Sequence, residues 1–292
     1  MGKLVVGTWQ GVCKDGDIAA NLARTEKVID EAAAAGCDFV VLPELFLSGA
    51  GSGPGLVERI ADNAMTLDDP RLTALAAHAG KRGVVTLVGM CEKRGDKCAV
   101  TEAILNEGRV AGHYTKTMPT ETDYELMQFH DDELPVFQAK GVTFGVIICH
   151  DSSFPEVAAT LAWKGAQIIF SPHYNNISRQ RMNDHRILVR NNHVGIAVHY
   201  NVVLVRSNVV GYWPEGDCFG YGDSAIFGPN GQTIAEAGLF VEKLTTADVG
   251  PYLNWKAWRR RSEMRPAIIR QLSEAALAAL EPKEAKKPRS KA

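Results

Sequence analysis

Short runs of apolar, β-branched residues recur along the first half of the chain, separated by stretches that repeat like helices. Lys3–Thr8 predicts the first strand. Asp17–Ala35 predicts a helix with Leu22 and Ile29 on one face and Gly36 after its end. Cys37–Leu42 is the next strand, and Asp69–Lys81 a second helix, capped by Asp68 or Asp69 with Pro70 in its first turn. Val84–Met90, Lys97–Asn106 and Arg109–Thr115 follow as strands, the last two joined by a turn at Asn106-Glu-Gly108.

The second half keeps the alternation and then changes to paired strands. Val142-Thr-Phe-Gly-Val-Ile-Ile-Cys149 reads as a strand buried on both faces. Phe154-Pro155 through Trp163-Lys-Gly165 reads as a helix, with Pro155 at its start and Gly165 past its end. Strand Gln167–Phe170, helix Ser178–Asn191, and strands Gly195–His199 and Val202–Asn208 come next. Ser224–Phe227 and Thr233–Ala237 flank a Pro229-Asn-Gly231 turn. Strands alternating with helices, then paired, predict an α/β fold. Three stretches follow: a core over 1–250, an arm and helix over 251–280 and a solvated tail over 281–292. In the arm, Trp255-Lys-Ala-Trp-Arg-Arg-Arg261 is basic and aromatic, and Ser262–Leu280 reads as a helix that packs on its own domain or on a second subunit.

Composition narrows the class. Of 292 residues, 46% are hydrophobic, enough for a sizeable core, and the net charge of −2 suggests no nucleic-acid partner. No apolar run reaches the ~18 residues that span a bilayer, so no membrane partner is expected. Met1-Gly-Lys-Leu-Val-Val-Gly7 moves straight into a strand without a secretory signal, so a cytoplasmic location with reduced thiols is expected. The six cysteines, at 13, 37, 91, 98, 149 and 218, show neither CxxC spacing nor clustering with histidine. No metal and no cofactor is expected.

Three charged or nucleophilic residues stand at the ends of β runs. Cys149 ends its strand just before a helix, where free backbone N–H groups and a helix dipole would favour a thiolate and could bind an oxyanion. Glu44 closes Asp38-Phe-Val-Val-Leu-Pro-Glu44, and Lys116 closes Gly112-His-Tyr-Thr-Lys116. Taken singly, Cys149 reads as a packing thiol and the other two as solvated loop charges; a shared cleft requires the three ends to converge. A rival base is histidine. His150 adjoins Cys149, but neighbours on an extended strand point to opposite faces, which places it poorly for the thiol proton. His173, in Ser171-Pro-His-Tyr174, follows the next strand and is expected to line a pocket. Two loops would shape that pocket: the glycine-rich Ser48–Gly55, which lacks the ending of a P-loop, and the aromatic Gly211–Tyr221.

The set Val40-Val-Leu-Pro-Glu44, Tyr114-Thr-Lys116, Gly145-Val-Ile-Ile-Cys149-His-Asp-Ser-Ser-Phe-Pro-Glu156, Lys164 through Pro172, Tyr221-Gly-Asp-Ser224 and Gly228-Pro-Asn-Gly231 resembles, in order, the nitrilase or carbon–nitrogen hydrolase superfamily. The likeness runs from about Lys3 to about Val249. It implies a four-layer αββα sandwich with Cys149 as nucleophile, Glu44 as general base and Lys116 as oxyanion cation, aided by the amide of His150. It also implies a second glutamate, matched best by Glu125, with Glu121 and Glu133 as competitors. His150, Asp151, His173 and Tyr174 are the expected substrate-binding residues, and a homodimer or larger homo-oligomer is the expected assembly.

Aspartate at 151, where nitrilases proper carry glutamate after a tryptophan, resembles amidases and carbamoylases. Ser152-Ser153 replaces the paired arginines of enzymes for N-carbamoyl-D-amino acids. The expected activity is an amidohydrolase that releases ammonia from a small aliphatic amide or N-carbamoyl compound through a thioester. A nitrilase, or a non-catalytic scaffold keeping the fold, are the alternatives.

Overall fold

The apolar runs pair into two six-stranded sheets. Residues 2–50, 55–121, 123, 133–253, 255 and 265–280 are described in the computed structural model. The first sheet has the order β15-β1-β2-β3-β4-β5, from β1 (Val5–Gln10), β2 (Phe39–Val41), β3 (Val85–Arg94), β4 (Lys97–Asn106), β5 (Arg109–Thr115) and β15 (Lys243–Asp248). β1, β2 and β3 run parallel, and the remaining pairs are antiparallel. The second sheet, β14-β13-β10-β8-β7-β6, is built from β6 (Phe137–Ala139), β7 (Val142–Val146), β8 (Ile168–His173), β10 (Val203–Asn208), β13 (Ala225–Phe227) and β14 (Thr233–Glu236). Its middle strands β7, β8 and β10 are parallel.

Parallel strands need both faces covered, which explains the nearly unbroken apolar character of β2, β7 and β8. On the inner faces, Phe39 of β2 meets Phe144 of β7 and Phe170 of β8, with ring centroids 5.4 and 5.6 Å away. Outside the first sheet lie α1 (Ile18–Ala34) and α3 (Pro70–Arg82), which bury Val28, Ile29 and Ala32, and Leu72, Leu75, Ala76 and Ala79. Outside the second lie α4 (Pro155–Trp163) and α5 (Met182–Tyr200). Their Val157, Ala158, Leu161, Ile196 and Ala197 pack on Ile147, Ile169, Leu204 and Phe227. The result is the α–β–β–α stack expected.

Several local expectations need correction. Gly195–His199 is no strand; it is the end of α5, which runs to Tyr200 and stops at Asn201 in the left-handed conformation (φ 57°). Helical packing of the buried Ile196 and Ala197 overrides the β propensity of this segment. The aromatic stretch over 211–221 is mostly a hairpin, β11 (Val210–Trp213) and β12 (Cys218–Tyr221), joined in a small sheet by β9 (Asn176–Ser178). A short helix α2 (Leu56–Asp62) follows the glycine-rich loop, whose residues 51–54 lie outside the described set.

The chain divides into two units, residues 1–255 and 256–292. In the second, α6 (Pro266–Leu280) carries apolar Ile268, Leu272, Leu277 and Leu280, all exposed. Of the basic aromatic stretch only Trp255 is described, and 281–292 lie outside the described residues. No helix among those described is long and apolar enough to cross a membrane.

Candidate active site

Glu44 follows β2 by three residues, and its loop is pressed against β3. A Cβ on Gly89 would stand 2.4 Å from the Leu45 nitrogen and 2.5 Å from the Pro43 carbonyl oxygen, so only glycine permits this approach. The turn is tight enough to put Leu45 at φ 53°. Glu44 itself is buried. Its Oε2 accepts the Tyr174 backbone N–H at 2.8 Å, which joins the end of β2 to the end of β8 in the other sheet.

Lys116 follows β5 and extends its ladder by donating its N–H to the Val100 carbonyl at 2.9 Å. Its Nζ lies 2.7 Å from Glu44 Oε1 and 2.7 Å from Asp123 Oδ2, with the side chain 2% exposed. Asp123 is fixed in turn, since its Oδ2 accepts the Thr120 N–H at 2.7 Å and its own N–H donates to Thr120 Oγ1 at 3.2 Å. Burial would strip Lys116 of its proton. The charges of Glu44 and Asp123 outweigh that and hold its pKa well above the ordinary lysine value.

Cys149 opens a turn of 3-10 helix over Cys149–Ser153 rather than the α-helix, which begins at Pro155. Its φ of 49° is left-handed, a conformation that costs a non-glycine residue about 1–3 kcal/mol and persists only where the surroundings impose it. Asp151 does so. One oxygen accepts the Ile148 N–H at 2.8 Å and the Tyr114 hydroxyl at 2.8 Å; the other accepts the Met118 N–H at 2.7 Å and the Thr117 N–H and hydroxyl at 3.2 Å each.

Two influences oppose the resting thiolate that the helix dipole would favour. Burial first, then the Glu44 charge, push the Cys149 thiol above its ordinary value; Lys116 pulls the other way and loses. Burial and the Glu44 charge thus favour S–H over thiolate at Cys149, an arrangement that calls for base-assisted attack.

Asn175 completes the surroundings. Its Nδ2 points at Cys149 Sγ at 3.6 Å, because its Oδ1 accepts from Arg206 Nη2 at 2.7 Å and from the Tyr221 hydroxyl at 3.2 Å. Arg206 is 1% exposed and donates also to the Asp223 carbonyl at 2.7 Å.

The other sequence-predicted residues fare differently. Tyr174 brings its backbone to Glu44, while its hydroxyl donates to Asp15 Oδ1 at 3.0 Å; Trp213 Nε1 donates to Asp15 Oδ2 at 2.7 Å and Ala50 N–H to Oδ1 at 3.2 Å. The glycine-rich and aromatic segments thus meet at Asp15. His173, expected to line the pocket, is shut away: its Nε2 lies 3.0 Å from Ser171 Oγ and 3.1 Å from His193 Nε2, and it is 1% exposed. Asp151, expected to bind substrate, is fully buried with five donors on it, leaving no face for a ligand. His150 is half-buried, its ring edge-on to Phe154 at 5.2 Å, in a helical turn rather than on the strand assumed for it. Glu121 and Glu133 are exposed, and Glu125 lies outside the described residues.

Sequence reasoning missed Asp123, Asn175 and Arg206. Asp123 sat inside the window searched for a second acid, where only glutamates were weighed. No cluster of three or more His, Cys, Asp or Glu able to hold a metal occurs among the described residues.

Residues 5–259 match the family described as carbon–nitrogen hydrolase. An N-carbamoylputrescine amidase from Arabidopsis thaliana is 32% identical over 252 residues, covering 80% of this chain and 82% of that protein. An (R)-stereoselective amidase from Pseudomonas sp. is 28% identical over 228 residues, 77% of each. The crystal structure of an amidase from Nesterenkonia sp. superposes with a TM-score of 0.72 at 22% identity, covering 92% of this chain and 96% of that one, which bears on the fold.

Proposed function

The chain belongs to the carbon–nitrogen hydrolase family, in its amidase and N-carbamoyl amidase branch, and from that premise we propose that Cys149, Glu44 and Lys116 hydrolyse a small aliphatic amide or N-carbamoyl amine. The observation that carries the reading is the placement of Lys116 Nζ at 2.7 Å from Glu44 Oε1, with the Glu44 charge also acting on the Cys149 thiol.

The steps follow from that arrangement. Glu44 takes the Cys149 proton as the sulfur attacks the carbonyl carbon, and the electron pair of the C=O bond moves to oxygen. Lys116 and the His150 amide receive that charge in a site where water is excluded and the interaction is strengthened. The intermediate collapses by breaking the C–N bond. The leaving nitrogen takes the proton from Glu44 and departs as ammonia, which leaves a thioester. Glu44 next draws a proton from water, the hydroxide carbon bond forms, the C–S bond breaks and the thiol recovers its proton. With an N-carbamoyl amine the product is a carbamate, which loses carbon dioxide to give the amine.

Similarity to the carbamoylputrescine and stereoselective amidases supports this substrate class. Ammonia release is measured over matched aliphatic amides, N-carbamoyl amines, N-carbamoyl amino acids and nitriles, with Cys149→Ala as the blank. Turnover of amides or carbamoyl amines only, and none in the blank, is expected. Preferred turnover of a nitrile without free amide would make the protein a nitrilase instead.

A further inference from the structure

Glu102 is a further buried acid on this side of the first sheet, and the steps above do not use it. It lies in β4 directly across from Gly89 of β3 and Tyr114 of β5. Directly opposed positions share a face of the sheet. This face looks onto the site: the Gly89 position abuts the backbone of Pro43, Glu44 and Leu45, and the Tyr114 hydroxyl reaches Asp151. Glu102 is fully buried, and among the described residues neither of its carboxyl oxygens has a hydrogen-bond partner.

A carboxylate stripped of water and offered no donor is strongly disfavoured, and such a group keeps its proton instead. Burial, followed by the nearby Glu44 charge, holds the Glu102 carboxyl well above the usual carboxylate range. Among the described residues, the titratable or charged groups presented to this region are Glu44 from the loop after β2, Cys91 from β3, Tyr114 from β5 and Lys116 after it, Asp123 beyond, and Cys149 and Asp151 from the nucleophile turn.

We propose that Glu102 is a positioning residue for the base, held as an uncharged acid behind Glu44 so that Lys116 answers to two carboxylates rather than three. The inference rests on the reading of Glu44 as base. Ionising Glu102 adds a negative charge beside the place where negative charge must form. It opposes both loss of the Cys149 proton and development of the oxyanion. Activity then falls on the alkaline side as Glu102 loses its proton, while the Glu44–Lys116 pair is unchanged in composition.

The test compares pH profiles of kcat/KM for the wild type, Glu102→Gln, Glu102→Met and Glu44→Gln, with difference infrared spectra of wild type and Glu102→Gln at neutral pH. The alkaline midpoint is expected to move up by about one pH unit or more in both Glu102 variants, a shift set by the size of ordinary carboxyl perturbations. The wild type is expected to show the carbonyl band of a protonated carboxyl that Glu102→Gln lacks. Thermal stability adds a reading independent of catalysis. A carboxyl whose folded pKa is raised weakens the folded state as pH rises from its ordinary value near ~4.3 toward the folded one. The advantage of Glu102→Gln in Tm should therefore grow over that span.

An alkaline limb that stays in place in both variants, a wild-type profile flat up to unfolding, or an absent acid band overturns the proposal. A merely structural Glu102 would alter Tm but leave the midpoint where it is. Activity surviving in Glu44→Gln removes the base assignment and this proposal together. An inactive Glu44→Gln with an unmoved midpoint removes this proposal alone.

Discussion

Tyr114 donates its hydroxyl to Asp151 Oδ2 at 2.8 Å, and this bond ties the strand that delivers Lys116 to the turn that delivers Cys149. The two elements belong to different sheets. Without such a tie, the Lys116 nitrogen and the Cys149 sulfur would be placed only by the packing of the sandwich. Asp151 spreads the tie over Ile148 on one side and Thr117 and Met118 on the other.

Removing it should cost both stability and activity. Bonds to a charged group are worth about 1.5–3 kcal/mol each, and buried donors left unpaired cost about 1–3 kcal/mol. Asp151→Ala is expected to lose about 3 kcal/mol or more in chemical denaturation and nearly all turnover. Tyr114→Phe should lose about 1–2 kcal/mol and retain measurable turnover. A Tyr114→Phe protein as inactive as Asp151→Ala would mean that Asp151 acts on substrate directly.

Glu44→Gln keeps the shape of the side chain but cannot accept the thiol proton. Loss of general-base assistance costs about 10²–10⁴-fold, so kcat should fall within that range while circular dichroism is unchanged. Turnover within tenfold of wild type would contradict the assignment.

The thiols should not react in the order that a resting Cys149 thiolate implies. Burial and the Glu44 charge push the Cys149 thiol up, whereas neighbouring Cys91 first and then Lys93 pull the Cys98 thiol down. With a neutral disulfide reagent at pH 7, Cys98 should be labelled before Cys149. The Cys149 rate should still be climbing at pH 9. A plateau for Cys149 below pH 8 would show that Lys116 prevails over the carboxylate.

Acid should destabilise the protein through its buried histidines. Burial, then Arg206, hold His173, His185 and His193 below the ordinary imidazole value, His185 at about 4. Between the ordinary value near 6.5 and about 4, the unfolded chain binds more protons at these positions than the folded one, so stability falls as pH falls through that window. Tm recorded from pH 7 to pH 4 should drop, and less steeply for His185→Gln. A flat Tm over that span would contradict the burial of uncharged rings.

Most strands, their flanking helices and three strand-end residues were legible because each rests on local signals, while the four-layer stack came through the family resemblance. Val40-Val-Leu-Pro-Glu44 shows where β2 must stop, and Pro155 and Gly165 bracket α4. What escaped depends on contacts between distant segments. Nothing near Asp151 announces that Thr117 and Met118 will donate to it, and the His173 ring turns to His193 because α5 passes behind β8. Arg206 lies in an apolar strand run where a cation reads as an anomaly; only the fold supplies Asn175, Tyr221 and Asp223 as its partners. The end of α5 was misread because β-branched residues in a half-buried helix imitate a strand.

The central claim is that the carbonyl carbon of the substrate becomes bonded to the Cys149 sulfur during turnover. Enzyme mixed with a slowly hydrolysed aliphatic amide, quenched in acid within a turnover and digested, should yield the peptide containing Cys149 heavier by the acyl group, with ammonia released in equal amount. An unmodified Cys149 peptide during steady turnover, together with undiminished activity in Cys149→Ala, would contradict it.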